Sequence, residues 1–197
     1  MKNGIAFFDF DGTITTKDTL LEFIKFSKGK FRFLKGFFLN SHYLVAYKLK
    51  LISNQKAKEK IMHFFFGNMP TSVFQEKCDQ FIKEILPGLI RPKAYEEFEK
   101  LKQKGILIVI VSASPENWIT KWAQEIAISI IATQLEVSNN LITGKISGIN
   151  CHGQEKVRRI KEVYNLAEFK EIYAYGDSSG DKPMLALANY SFMKPFR

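Results

Sequence analysis

The stretch Ile5-Ala6-Phe7-Phe8-Asp9-Phe10-Asp11-Gly12-Thr13 decides the fold. A short apolar run closed by a turn residue predicts a buried strand of a parallel sheet. The two aspartates then leave the strand at its C-terminal end, where open α/β sheets bind their ligands. Carboxylates this close repel one another, and a bound cation is the least costly way to keep both ionised. Gly12 and the N–H groups after it allow close approach of an anion. A cation and an anion side by side is what phosphoryl transfer needs.

Further along, the β-branched and leucine run 106–111 predicts a second buried strand, ending in Ser112-Ala113-Ser114-Pro115. Ser114, Pro115 and Glu116 form a helix start, with the helix expected to run to Ala127. A third strand is expected over 128–136, a hairpin turning at Asn139-Asn140 into 141–146, and a helix over 154–164. A fourth strand over 172–175 ends in Gly176-Asp177-Ser178-Ser179-Gly180-Asp181, followed by a helix to Ala188 and a last short strand over 191–196. Strands alternating with helices predict an α/β fold with a Rossmann-like, doubly wound parallel sheet. Asp9/Asp11, Ser112 and Asp177/Asp181 would then lie along one sheet edge.

The intervening segment 20–86 reads as helical, with no strand alternation. Asp18 or Thr19 caps its first helix, and breaks are expected at Gly29, Gly36, Ser53-Asn54 and Gly67-Asn68-Met69-Pro70. The organisation expected is an α/β core over 1–16 and 88–197 carrying an inserted all-helical cap over 17–87.

The charge of this 197-residue chain is lopsided. Residues 25–60 hold ten Lys/Arg against one acid, Glu59, a net +9 equal to that of the entire chain. Phenylalanines and tyrosines interleave with those cations. Such a module suits an anionic membrane surface or a lipid phosphate. It equally suits a helical bundle with phenylalanines inside and lysines solvated. A nucleic-acid-binding module is a third reading, which nothing else in the sequence favours. Two cysteines, Cys78 and Cys151, are too few for a disulfide framework, so a cytoplasmic location is expected, with a peripheral contact to the inner membrane face left open. Asp9 and Asp11 break the N-terminal apolar run before a signal-peptide core could form.

Asp-Phe-Asp-Gly alone could open a calcium loop, but the EF-hand pattern needs Glu at its twelfth position, where this chain has Leu20. Taken in order, Asp9-x-Asp11-Gly12-Thr13, Ser112, Lys156 and Gly176-Asp177-x-x-x-Asp181 resemble the four motifs of the haloacid-dehalogenase superfamily phosphatases. The resemblance spans residues 5–190. It implies Asp9 as nucleophile, forming an aspartyl-phosphate, and Asp11 as the acid and base for the leaving group and the attacking water. It implies Mg2+ on the Asp9 carboxylate, the Asp11 carbonyl and Asp177, with Asp181 a further ligand or the residue orienting a metal-bound water. Ser112 and the N–H groups of Gly12 and Ala113 would hold phosphoryl oxygens, and Lys156 would offset their charge.

An acid two residues after the nucleophile separates phosphohydrolases and the related mutases from the transport ATPases and the dehalogenases of the superfamily. A helical insertion between the first two motifs resembles the cap of the phosphoserine-phosphatase-like branch, with Asp18 as the substrate-contacting acid. Cys151-His152-Gly153-Gln154-Glu155-Lys156-Val157 and the basic aromatic cap are also similar to phosphatidylglycerophosphate phosphatases. The expected partner is a small phosphorylated metabolite or, alternatively, a lipid phosphate.

Overall fold

The computed structural model of the protein describes residues 2–197. Strand β1 (Lys2–Phe8) leads through a tight turn at Phe10–Ile14 into α1 (Thr19–Lys28), α2 (Lys30–Leu39), α3 (Ser41–Lys48) and α4 (Asn54–Phe66). The two-residue strand β2 (Met69–Pro70) precedes α5 (Thr71–Glu84), and α6 (Pro92–Gln103) leads back to β3 (Ile106–Pro115). Then follow α7 (Thr120–Glu125), β4 (Ser129–Thr133), the hairpin β5 (Leu135–Ser138) and β6 (Leu141–Ile146), and α8 (Gln154–Val163). The chain closes with β7 (Phe169–Gly176), α9 (Lys182–Leu185) and β8 (Tyr190–Met193).

The expected parallel sheet is present, in the order β4-β3-β1-β7-β8. β1 sits in the middle because it is apolar on both faces: Ile5, Ala6, Phe7 and Phe8 are all fully buried. Ala6 and Phe8 face one core, where Phe8 stacks on Tyr175 at 4.1 Å and meets Phe98 of α6 edge-on at 5.0 Å. Ile5 and Phe7 face the other, with Ile160 of α8 and Met184 of α9. Burying each large side chain of this strand contributes about 1.5–3 kcal/mol, which fixes its central place. Phe8 pairs with Ile110 on one side and Tyr175 on the other, so the ends of β1, β3 and β7 fall together.

The inserted segment has an aromatic core of its own. Phe23 packs against Phe66, Phe74, Phe81 and Trp118, with ring centroids 4.7–5.5 Å apart. Trp118 follows β3, so this cluster joins the helical segment to the α/β unit. Asp18 caps α1, accepting from the Leu21 N–H at 3.1 Å. No helix among the described residues is long and apolar enough to cross a membrane.

Several sequence expectations need correction. The insertion is not all-helical: β2 pairs antiparallel with β6, Met69 opposite Ile142 and Pro70 opposite Leu141. A proline is tolerated in so short a strand at the edge of its small sheet. Gly36 does not break a helix but lies buried inside α2, where a Cβ would come within 2.2 Å of the Phe65 ring. It lets α2 approach α4, and the break falls at Asn40. No helix starts at Ser114. β3 runs on to Pro115, which pairs with Thr133 past an irregularity in register, and only a short turn at Glu116–Trp118 and α7 follow. The single strand expected over 128–136 is two, because β4 stays with the large sheet while β5 leaves it to pair with β6. The helix after Asp181 ends at Leu185.

Candidate active site

The turn after β1 sets the geometry. Gly12 has φ of +78°, and a Cβ there would lie 2.5 Å from an Asp177 carboxylate oxygen. Glycine is required twice over, by backbone conformation and by the approach of the Asp177 side chain. The Gly12 N–H donates to Thr15 Oγ1 at 3.2 Å, and Thr13 Oγ1 donates to Asp9 Oδ2 at 3.1 Å.

Asp9, Asp177 and Asp181 each present a carboxylate oxygen within 4.8 Å of the others. Two neighbouring strands and the turn after β7 thus deliver three acids to one point, as the strand-end argument requires. An all-oxygen, acid-rich set of this kind fits a hard divalent cation. The Lys156 Nζ, on α8, donates to Asp9 Oδ1 at 2.6 Å and to Asp181 Oδ1 at 2.7 Å. Asp181 Oδ2 accepts from the N–H groups of Asp177 and Ser178 and from Ser178 Oγ. Asp181 is therefore a hub that ties the β7 turn to α8, with three donors on Oδ2 and Lys156 alone on Oδ1. Asp177 is half-buried and accepts from the guanidinium of Arg197 at 2.6 Å.

Burial pushes the Asp9 carboxyl up to about 7, the nearby Asp181 and Asp11 carboxylates adding to the rise and Lys156 opposing it. The Lys156 ammonium is pulled above its usual range, because its two carboxylate partners outweigh its complete burial. Ionised Asp9 thus depends on positive charge placed beside it.

Asp11 is held differently. One carboxylate oxygen accepts from the Thr19 N–H and Oγ1, both at 2.6 Å, and the other from Ser114 Oγ at 2.5 Å. Thr19 Oγ1 also accepts from the Trp118 indole at 3.0 Å, so Asp11 is braced against the aromatic core. Ser112 is fully buried at the end of β3, and its Oγ accepts from the Ser114 N–H at 3.0 Å, leaving its O–H as a donor. Ala113 follows it and turns its carbonyl to Lys58 Nζ at 2.8 Å. Lys58 lies on α4 and also donates to Asn150 Oδ1 at 3.2 Å, so a cation from the helical insertion reaches the β3 end. Desolvation lowers the Lys58 pKa, and the charges of Asp11 and Asp18 oppose that shift.

The structure thus brings Asp9, Gly12, Asp177, Asp181 and Lys156 together, with Asp11, Ser112 and Ala113 around them and Asp18 at the α1 cap. Sequence reasoning missed Thr13, Thr19, Ser114, Lys58 and Arg197 as parts of this cluster. Ser114 carried a usable signal: it is a second hydroxyl two residues past Ser112, at the polar end of the same apolar run. Lys58 carried none, being one of ten cations in its segment.

Against known proteins, the family model for haloacid dehalogenase-like hydrolases matches residues 6–186. The chain belongs to that family. Among curated relatives, CicA of Caulobacter vibrioides is 33% identical over 192 residues, covering 96% of this chain and 85% of that protein. A phosphoserine phosphatase of Lactococcus lactis is 32% identical over 130 residues, 62% of this chain and 55% of that protein. In fold, the chain is similar to a Bordetella pertussis protein of unknown function, with a TM-score of 0.84, 19% identity and coverage of 98% and 90%. A phosphoserine phosphatase solved as a phospho-aspartyl intermediate analogue gives 0.71, 18% identity and coverage of 98% and 87%. The α/β unit with a mostly helical insertion is thus the fold of this family, as the motifs implied.

Proposed function

We propose that this haloacid dehalogenase-like hydrolase is a Mg2+-dependent phosphomonoester phosphatase of phosphoserine-phosphatase-like type, acting from the cytoplasm through an aspartyl-phosphate. The observation that carries the reading is the Asp9–Lys156–Asp181 chain at the sheet edge, with Asp177 and a close-approach glycine beside it. Asp9 is the nucleophile: its oxygen attacks phosphorus, the P–O bond to the leaving group breaks, and Asp11 supplies that oxygen's proton. Asp11 then takes a proton from the water that hydrolyses the acyl phosphate, returning Asp9 as a carboxylate. Asp9, Asp177 and the Asp11 carbonyl would hold the Mg2+, with Asp181 as a further ligand or behind a metal-bound water. Bound there, the ion supplies charge stabilisation to the transferring phosphoryl group. Ser112, the Ala113 N–H and Lys156 bind the remaining phosphoryl oxygens, joined by the Gly12 N–H once it exchanges Thr15 Oγ1 for the substrate.

Residues 17–87 act as the cap over this site, and 1–16 with 88–197 as the core. Lys58 is the support for that division, since it reaches from α4 to the carbonyl of Ala113. Asp18 and Lys58 offer an acid and a cation to the substrate's non-reacting end, which suits a small amino-acid phosphomonoester. A lysine gives a carboxylate one point charge instead of a planar fork, so a phosphate ester of another shape, including a lipid phosphate, is the competing substrate.

The test is phosphate release with Mg2+ from phosphoserine, other small phosphomonoesters and micellar phosphatidylglycerophosphate. The Asp9→Asn variant serves as the control. Turnover that needs Mg2+ and vanishes in the variant supports the reading; a folded Asp9→Asn enzyme that still turns over rejects it.

A further inference from the structure

The phenylalanines of residues 20–70 divide into two populations. Phe23, Phe65 and Phe66 are buried, whereas Phe31 and Phe38 are each 79% exposed. On α2, Phe31, Leu34 and Phe38 recur at three- and four-residue spacing and form one outward stripe, while Gly36, Phe33 and Phe37 turn inward. No side chain of α3 is fully buried, Leu44 alone reaching partly into the core, and Val45, Leu49 and Leu51 on and just after it are exposed as well. Helices of eight and ten residues are marginal in water without a face to bury. Here an apolar stripe on α2 is uncovered, and Val45, Leu49 and Leu51 extend the exposed apolar surface past it.

The charge around this face has one sign. Lys28, Arg32 and Lys35 line a groove of about 320 Å3 between α2 and α4, closed by Gly36, Phe64 and Phe65. No acid lines it, and among the described residues none of the three cations is in a salt bridge. Lys28 is held below its usual pKa by desolvation and by the neighbouring charges of Lys77 and Arg32. Lys30, Lys48 and Lys50 stand near the ends of the same two helices. Aromatic side chains that project outward, flanked by lysines and arginines with long stems, fit the interface of an anionic bilayer.

We propose that the α2–α3 face is a membrane-docking surface: Phe31 and Phe38 enter the headgroup region of an anionic bilayer while the Lys28/Arg32/Lys35 groove takes a lipid phosphate. Charge complementarity selects this occupant, since a second copy of the chain would set +9 segments against each other. The proposal is independent of the catalytic reading, because none of these residues is in the acid cluster.

The experiment is co-sedimentation of the full chain with vesicles of phosphatidylcholine alone or mixed equally with phosphatidylglycerol, over a salt series. Three proteins are compared: wild type, the exposed pair Phe31→Ser/Phe38→Ser, and Arg32→Glu/Lys35→Glu, each checked for an unchanged melting temperature. The expected result is binding of wild type to the anionic vesicles only, weakening with salt, and roughly tenfold or greater loss in both variants. Equal binding to neutral and anionic vesicles, or unchanged binding by both variants, overturns it. So does a wild-type dimer in sedimentation velocity that the Phe31→Ser/Phe38→Ser pair makes monomeric, which would assign the face to self-association. Tighter binding to a single-stranded oligonucleotide than to anionic vesicles overturns it too.

Discussion

Lys156 Nζ lies 2.6 Å from Asp9 Oδ1, and both side chains are buried. The pair spans 147 positions of sequence and joins the first strand to α8. Burying an ion pair costs desolvation, and removing one partner leaves the other charge without compensation. Lys156→Met strands two carboxylates, Asp9 and Asp181. It is expected to destabilise the fold by about 3–5 kcal/mol in urea denaturation. It should also lower kcat by about a hundredfold or more on any phosphomonoester the enzyme accepts. Added Mg2+ should recover part of the stability, because a cation offsets the same carboxylates, but not the rate.

Among the described residues no cation lies within salt-bridge distance of the Asp11 carboxylate; three hydroxyl and amide donors from Thr19 and Ser114 position it. Ser114→Ala removes one of them and frees one carboxylate oxygen. A positioning role predicts a kcat lower by roughly tenfold with little change in KM. The loss should grow along a series of aryl and alkyl phosphates as the leaving group becomes more basic, because those esters depend most on proton donation. A uniform loss across the series would reduce Ser114 to a structural role.

How much of this was legible in the sequence depended on how local each signal was. Ile5–Phe8 had to be a central strand, because every residue in it is apolar and no face could be left to water. With that strand fixed, the convergence of Asp9, Ser112 and Asp177 followed from parallel strands ending on one edge of the sheet. The misread places were those where a tertiary partner overrode a local cue. Ser114-Pro115-Glu116 has the composition of a helix start, but the Ser114 N–H is taken by Ser112 Oγ and its hydroxyl by Asp11. Gly36 reads as a breaker until the Phe65 ring is seen to occupy the space of its missing side chain. Met69–Pro70 is too short to show any period, and β6 alone makes it a strand.

Arg197 donates to Asp177 Oδ2 at 2.6 Å, so the guanidinium stands at a carboxylate that the proposed mechanism gives to Mg2+. The arginine side chain is 45% exposed and Asp177 is half-buried; a pair at the surface of this kind is worth about 1 kcal/mol, so releasing it costs little. Competition between the guanidinium and Mg2+ predicts that Arg197→Ala lowers the Mg2+ concentration giving half-maximal rate. The shift should not exceed about fivefold, and the rate at saturating Mg2+ should be unchanged. A titration of initial rate against Mg2+ for the two proteins checks it.

Glu155 precedes Lys156 on α8 and accepts from both Arg158 and Arg159 at 2.6–2.8 Å. Hydrogen bonds from Arg158, joined by those from Arg159, hold its carboxyl down to about 2, against burial that acts to raise it. Arg159 in turn donates to the carbonyls of Ala132 and Ile149, so the cluster anchors the first turn of α8 to the end of β4. A carboxyl whose folded pKa lies below its unfolded value stabilises the fold above the unfolded pKa, and that contribution is lost as pH falls through the folded one. Glu155→Gln should therefore lower the urea midpoint at neutral pH. The difference from wild type should shrink as pH drops from the ordinary glutamate range through about 2, below which both side chains are neutral. A difference that stays constant across that range would mean that Glu155 contributes packing and not charge.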